Sequence, residues 1–374
     1  MLSSQNKDDL KKKGYTVVHD VLTTEEADGF RGEYEGWLSQ FEKGTFPHTN
    51  KSLIQRYRVG HMEPTWTVRL KSKHVFSQIW NTDELLTSFD AIAIGRPPED
   101  GDEDFFRPGH HWLHCDQRPA RVGLHAYQGA VYLEECQEDD WAFEVLEGSH
   151  DLFAAFYESE HVKKTLRLKP HWRLRTLRDE DLTWYVENGC VRKRIPVPKG
   201  GMVLWDSRLI HANSRPVKER EHPGRWRYLV FVCMTPAAWA DEESLKQKRE
   251  AYENLKMTTH WPSDDIGFFS EELPSYAEKK VKIPQELPAI AKTAMAKRLA
   301  GVLTYDASGC ESRSSCPPKP EWEAGRLEVV RNQEVEWETQ LAAYKHETSV
   351  FYYRRVFAAS ILALLLSGLF YVLM

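Results

Sequence analysis

Between residues 88 and 234 the apolar residues arrive in six short runs: 88–95 (SFDAIAIG), 121–134 (RVGLHAYQGAVYLE), 141–146 (WAFEVL), 191–198 (VRKRIPVP), 201–206 (GMVLWD) and 226–234 (WRYLVFVCM). Each is bounded by Gly, Pro or acidic turn residues, as strands usually are. No regular strand-helix alternation accompanies them, so a doubly wound parallel sheet is not expected. The pattern predicts a mainly β chain, an antiparallel sandwich or barrel with irregular insertions.

Helical segments flank these runs. The opening reads as a strand or turn around GYTVV at 14–18, then an amphipathic helix that Thr24 could cap, with Glu in its first turn. After Met234, residues 241–256 and 286–300 read as helices packed outside the sheet. The globular unit is expected to close near Tyr305, giving a domain over 1–305. The Ser- and Pro-rich stretch after it reads as linker and 321–346 as a charged helix, so 306–350 forms one connecting region.

Residues 356–374 (VFAASILALLLSGLFYVLM) hold 16 apolar residues in 19 and no charge. At about 1.5 Å per residue such a helix matches a hydrocarbon core of about 30 Å. Phe351, Tyr352 and Tyr353 are suited to the interface, and Arg354 and Arg355 follow them. Under the positive-inside rule the expectation is a transmembrane helix over 351–374 that tail-anchors the chain in an intracellular membrane, the domain facing the cytosol. Charge in the first 13 residues stands where a signal peptide needs an apolar stretch.

With 50 Lys and Arg against 56 Asp and Glu, the net charge is −6 and no basic block is long enough to make a nucleic-acid arm, so no nucleic-acid partner is expected. The six cysteines are scattered, without a C-x-x-C pair. Cys310 and Cys316, in the linker, read as solvated thiols of a reducing compartment, with pairing or modification as the alternative.

The chemistry concentrates in HHWLHCDQRP at 110–119 and WDSRLIHANSRP at 205–216. His114 and Asp116 are two apart, so on a strand both point to one face and can grip one ion. His211, after the apolar run GMVLWDS, would complete two histidines and a carboxylate. That facial set leaves three coordination positions open, as a non-haem Fe(II) centre requires to take a 2-oxo acid and then O₂. Arg227 opens the run RYLVFVCM, where a buried arginine is costly unless paired. Its planar fork suits the distal carboxylate of 2-oxoglutarate. Arg225 has the same strand parity but follows HPG, at a turn where water would satisfy it.

Four stretches resemble the phytanoyl-CoA dioxygenase-like branch of the Fe(II)/2-oxoglutarate oxygenases: GYTVVHDVLTTEEADGF, the H-x-D at His114 to Asp116, AFEVLEGSH at 142–150, and GGMVLWDSRLIHANS at 200–214. Glu147 stands where that family more often shows Pro. The resemblance implies a double-stranded β-helix, the jelly roll of cupin-like proteins, with iron held at one open end by His114, Asp116 and His211. It further implies oxidative decarboxylation of 2-oxoglutarate to succinate and CO₂, with O₂ as co-substrate, ascorbate as an assisting reductant, and hydroxylation of an unactivated C–H bond. Related halogenases replace the carboxylate with a small residue, so Asp116 favours hydroxylation.

Other residues near the motif read less sharply. His110 and His111 are expected to line the entrance rather than bind the ion. Trp112 and Gln117 flank the ligands, where substrate contact and core packing fit equally. His125, His150 and His222 read as turn, satisfied or exposed histidines. The aromatic stretch 56–96 is either a substrate wall or a helical layer on the sheet, and Thr258, Thr259 and His260 stand where a segment could close over the site. The leading expectation is a membrane-anchored Fe(II)/2-oxoglutarate-dependent hydroxylase of unidentified small-molecule, lipid or protein substrate. The alternative is a non-catalytic membrane-anchored protein that keeps the fold to bind a ligand or partner.

Overall fold

A computed structural model of the chain describes residues 2–42, 45–100, 105–165, 175–273, 281–305 and 316–321. Two antiparallel sheets form its centre. The larger contains β1 (Tyr15–Val18), β2 (Leu53–Ile54), β3 (Leu85–Thr87), β4 (Ile92–Gly95), β6 (Tyr127–Tyr132), β10 (Met202–Asp206) and β12 (Arg227–Pro236). Its order is β1-β10-β6-β12-β4-β2, with β3 also on β12. The smaller contains β5 (His114–Cys115), β7 (Ala142–Glu147), β8 (Arg175–Thr176), β9 (Val191–Ile195) and β11 (His211–Ser214), in the order β8-β5-β11-β7-β9. From β5 to β7, and again from β9 to β12, successive strands alternate between sheets. This connectivity is consistent with the expected jelly roll.

Strand parity assigns every face. In the larger sheet Val131, Leu204, Val230 and Ile92 turn to a helical layer, α1 (Ser4–Lys13), α2 (Thr24–Leu38) and α3 (Glu63–Trp80), where they meet Leu10, Trp37 and Phe76. Their neighbours Ala130, Val203, Trp205 and Leu229 turn the other way, onto Phe143 and Val145 of the smaller sheet. The smaller sheet's outer face, Leu113, Cys115, Leu146, Ile210 and Ala212, is covered by α4 (Phe153–Glu158), α5 (Glu160–Thr165) and α6 (Asp179–Glu187). With Leu113 and Cys115 outward, His114 and Asp116 must face the interior.

The first helix, absent from the sequence reading, has a capping box between Ser3 and Asn6 and ends at Gly14 in the left-handed region, φ 85°. A Cβ at Gly14 would stand 2.7 Å from His150 Nδ1, so only glycine fits between helix and ring. Thr24 is the first helical residue of α2, and the cap is Thr23, whose side chain accepts from Glu26 N–H. The 241–256 expectation is met by α7 (Glu242–Glu253), capped by Asp241. The helix expected over 286–300 is two pieces: a 3₁₀ turn at Ala289–Lys292 and α8 (Ala294–Leu299), separated because Thr293 is extended and caps α8. Both α7 and α8 bury alanines against Trp66 of α3 and Phe89, and both also reach the sheet at β3, where Lys248 of α7 donates to Thr87 O and α8 packs alongside, so they lie on the outside of the sheet beside α3. The stretch 56–96 supplies α3, a helical layer on the sheet.

Tyr305 is tied to β3, donating to Leu85 O at 2.7 Å. Within the expected linker, residues 316–321 lie back on the domain: Trp239 Nε1 donates to Pro317 O at 2.9 Å and Val122 N to Glu321 O at 3.0 Å. Cys310, the charged segment 322–346 and the apolar segment 351–374 lie outside the described residues. Among the described residues no helix is long and apolar enough to cross a membrane.

Candidate metal centre

The antiparallel register sets His211 opposite His114, and their rings lie 4.4 Å apart between centroids. His114 Nδ1 stands 3.0 Å from Trp112 O, and His211 Nδ1 2.9 Å from Leu209 O. A carbonyl only accepts, so each Nδ1 carries the proton and each Nε2 presents a lone pair. His114 Nε2 is 3.6 Å from Asp116 Oδ1, and His211 Nε2 is 3.4 Å from Asp116 Oδ2. Three buried groups thus offer ligand atoms within 4.8 Å of one another. With both imidazole protons committed elsewhere, three acceptors face one another with no proton to share. A cation resolves that conflict, and two imidazoles with one carboxylate are a donor set that suits Fe(II).

The protonation states agree. Burial, followed by the charge of His211, pushes the His114 imidazole down to about 3, so it is neutral in the physiological range. Burial acts to raise the Asp116 carboxyl, but the neighbouring His260, His211 at hydrogen-bonding distance and the neighbouring His114 outweigh it and hold Asp116 well below the usual carboxylate range.

These ligands open on a cavity of about 380 Å³. A larger cleft of about 1100 Å³ between α1 and β9 includes none of them and is a surface groove. Within the cavity Trp112 stacks on the His114 ring at 4.4 Å and 20°, while Trp205 and Phe143 flank His211 at 5.2 and 5.7 Å. The space between the three groups is therefore flanked by aromatic faces on the side of both histidines.

The cavity has two polar ends, which the register of β12 separates. At one end Arg227 pairs with Gly95 and is 5% exposed. Its Nη1 donates to Ser52 Oγ at 2.7 Å, its Nε is buried without a hydrogen-bond partner, and no carboxylate among the described residues forms an ion pair with it. A buried guanidinium in this condition calls for an anion. Ser52 is held for it by a tight turn in which Lys51 and Ser52 both have left-handed φ, 51° and 68°. Arg225, by contrast, is neutralised at the rim by Asp140 at 2.8 Å and Glu135 at 3.7 Å; its partners are carboxylates, where the sequence reading gave it water.

At the other end lie Asp90 and His260. Val230 pairs with Ile92, so Asp90 is level with Val232, five residues along β12 from Arg227, or roughly 17 Å at the usual strand rise. Burial raises the Asp90 carboxyl to about 6, against the opposing pull of His260. His260 Nδ1 is 3.9 Å from Asp116 Oδ2, beyond hydrogen bonding, and its Nε2 is buried without a partner.

Other predicted positions separate clearly. His110 is exposed, and His111 Nε2 faces Asp179 at 3.2 Å. Both line a neighbouring cleft of about 250 Å³ that shares Trp112 with the cavity. Trp112 lines the cavity, whereas Gln117 is turned away, its amide donating to Arg121 O and Gly123 O. His150 faces Lys11 O, His125 lies between Arg121 and Glu321 O, and His222 is exposed. Glu147 takes hydrogen bonds from Tyr15 and Lys193 at the edge of β7. Of the 258–260 group, Thr259 and His260 line the cavity, while the Thr258 hydroxyl accepts from Phe89 N–H. Asp90, Ser52 and the cavity-lining Asn213, whose amide donates to Ser52 Oγ at 3.0 Å, were missed; Asn213 carried a signal, being two residues from His211 on the same strand face.

The family model described as phytanoyl-CoA dioxygenase (PhyH) matches residues 10–216. Ava biosynthesis cluster protein O of Aspergillus versicolor is 25% identical over 272 residues, covering 68% of this chain and 85% of that one. Among solved structures, AviO1 from Streptomyces viridochromogenes Tue57 is 16% identical with a TM-score of 0.42, covering 62% of this chain and 93% of its own. EctD from S. alaskensis, solved with 2-oxoglutarate and 5-hydroxyectoine, is 13% identical with a TM-score of 0.42, covering 63% of this chain and 77% of its own.

Proposed function

The chain belongs to the phytanoyl-CoA dioxygenase family of Fe(II)/2-oxoglutarate-dependent oxygenases, and from that premise we propose that it is a membrane-anchored hydroxylase whose iron is held by His114, Asp116 and His211 and whose 2-oxoglutarate is held by Arg227. The observation that carries this reading is the convergence of two proton-free Nε2 atoms and one carboxylate, with a buried guanidinium in the same cavity that has no carboxylate partner among the described residues.

In this reading the iron supplies the coordination of 2-oxoglutarate and O₂ and the oxidising power for decarboxylation to succinate and CO₂ coupled to hydroxylation. The chain's own part is binding, orientation and exclusion. Trp112 O and Leu209 O fix both imidazole tautomers. Ser52 orients the Arg227 fork to take the distal carboxylate in two charge-assisted hydrogen bonds. Trp112, Phe143 and Trp205 keep water from the histidine side of the site. Asp116 leaves no vacancy for a halide, which supports hydroxylation over halogenation.

Anchoring rests on the sequence of 356–374, with Arg354 and Arg355 placing the domain on the cytosolic side of an intracellular membrane. Full-length protein in detergent, given Fe(II), ascorbate, O₂ and 2-oxoglutarate, is expected to form succinate, and Asp116→Ala to form none. Succinate formation that survives Asp116→Ala contradicts the ligand assignment.

A further inference from the structure

The end of the cavity opposite Arg227 has a chemistry of its own. Phe231, Trp261, Phe268 and Phe269 line it; the polar Gln128 and Thr259 also reach the cavity, and the two ionisable side chains that interrupt the apolar wall are Asp90 and His260. Both are rigidly placed. Asp90 Oδ1 accepts from Ala91 N–H at 2.6 Å, and its carbonyl takes a hydrogen bond at 3.1 Å from Arg69, a guanidinium buried behind the wall. His260 packs on Trp261 with ring centroids 4.8 Å apart, and Trp261 lies under the Arg121 guanidinium at 3.8 Å. Thr259 N donates to Gly267 O at 2.8 Å, closing the loop that carries His260 beside Phe268.

A buried ring nitrogen without a partner costs stability unless something else uses it. Among the described residues His260 Nε2 is such an atom, within electrostatic reach of Asp90 and on the Asp116 side of the centre, where none of their aromatic rings stacks on a ligand. We propose that Asp90 and His260 form the substrate-recognition end of the cavity and select an otherwise apolar molecule through one hydroxyl group. This rests on the oxygenase reading above and specifies its substrate class.

A hydroxyl is the group that matches. It donates to the Asp90 carboxylate and accepts from His260, satisfying both at once. A carboxylate or phosphate would be repelled by Asp90, and an ammonium would meet His260 and Arg69. Phe231, Trp261, Phe268 and Phe269 take the hydrocarbon body, leaving a C–H bond facing the ligands.

Menthol and p-menthane differ by one hydroxyl, and each is small enough to share the cavity with 2-oxoglutarate. Full-length protein in detergent, loaded anaerobically with Fe(II) and 2-oxoglutarate, is titrated with each while tryptophan fluorescence is followed. The ratio of the two affinities is compared among wild type, His260→Phe and His260→Gln, so that partition into detergent cancels. The ratio should fall about tenfold in His260→Phe and stay within about threefold of wild type in His260→Gln, which keeps a hydrogen-bonding side chain. An unchanged ratio in His260→Phe, or no binding of either probe to wild type, overturns the assignment. The metal-to-ligand absorption of bound 2-oxoglutarate is read in the same samples. If that band forms and the ratio does not move, only the hydroxyl assignment fails; if wild type shows no band, the oxygenase reading fails and takes the proposal with it.

Discussion

His114 and His211 are Cα partners in the antiparallel pairing of β5 with β11, ninety-seven residues apart in sequence and directly opposite in the sheet. That single register point fixes the centre. Asp116, two residues from His114, then reaches both Nε2 atoms at 3.6 and 3.4 Å. A one-residue slip would turn His211 outward to the α4–α6 layer and bring Ile210 or Ala212 in.

Replacing either histidine should therefore remove a ligand outright. His114→Ala and His211→Ala are expected to retain no iron above background after gel filtration. His110→Ala and His111→Ala should retain it as wild type does, since one is exposed and the other faces Asp179. Metal content by mass spectrometry decides this, and equal loss from His110→Ala would move the motif.

The two arginines of the 225–227 stretch should separate just as sharply. Arg227→Ala is expected to cost about 2–5 kcal/mol, or roughly thirtyfold or more, in 2-oxoglutarate affinity. Arg225→Ala breaks the contacts to Asp140 and Glu135 at the rim and should leave that affinity nearly unchanged. Isothermal titration of both variants is the check; a larger loss in Arg225→Ala reverses the assignment.

Asp90 gives a pH dependence of definite sign. Its folded carboxyl, raised by burial to about 6, holds its proton over a range where the unfolded chain, near 4, has lost it. The stability this proton contributes is fully present below about pH 4 and is lost as pH rises through about 6. Asp90→Asn removes the dependence, so the variant's Tm relative to wild type should be higher at about pH 8 than at about pH 4.5, a difference worth up to about 3 kcal/mol. Calorimetry of the metal-free proteins at the two pH values tests it. A difference of opposite sign means that Asp90 is stabilised as the carboxylate.

Residues 350–374 fused to a fluorescent protein should carry it to an intracellular membrane and resist carbonate extraction. Release by carbonate would argue against a spanning helix.

What the sequence made legible follows from where alternation is long enough to read. Strands β6, β7, β10 and β12 are five to ten residues long, and their apolar runs predicted them within a few positions. The strands β2, β5 and β8 are two residues each, too short for any period, yet His114 and Asp116 could be paired because parity needs only two positions. The far end of the cavity was not legible as a site. Asp90 sits in an apolar run as one more strand residue, and His260 reaches Asp116 across 144 positions from a loop without periodic pattern. Thr293 broke a helix that composition alone extended, since its cap geometry depends on a backbone turn that apolar periodicity does not report.

The central claim is that His114, Asp116 and His211 hold Fe(II) in a form that takes 2-oxoglutarate. Its most direct test is an anaerobic titration of 2-oxoglutarate into the iron-loaded full-length protein, followed by visible absorption. A saturable metal-to-ligand band in wild type, weakened in affinity by Arg227→Ala and absent in His211→Ala, is the predicted result. No band at saturating iron and 2-oxoglutarate, or an undiminished band in His211→Ala, would contradict it.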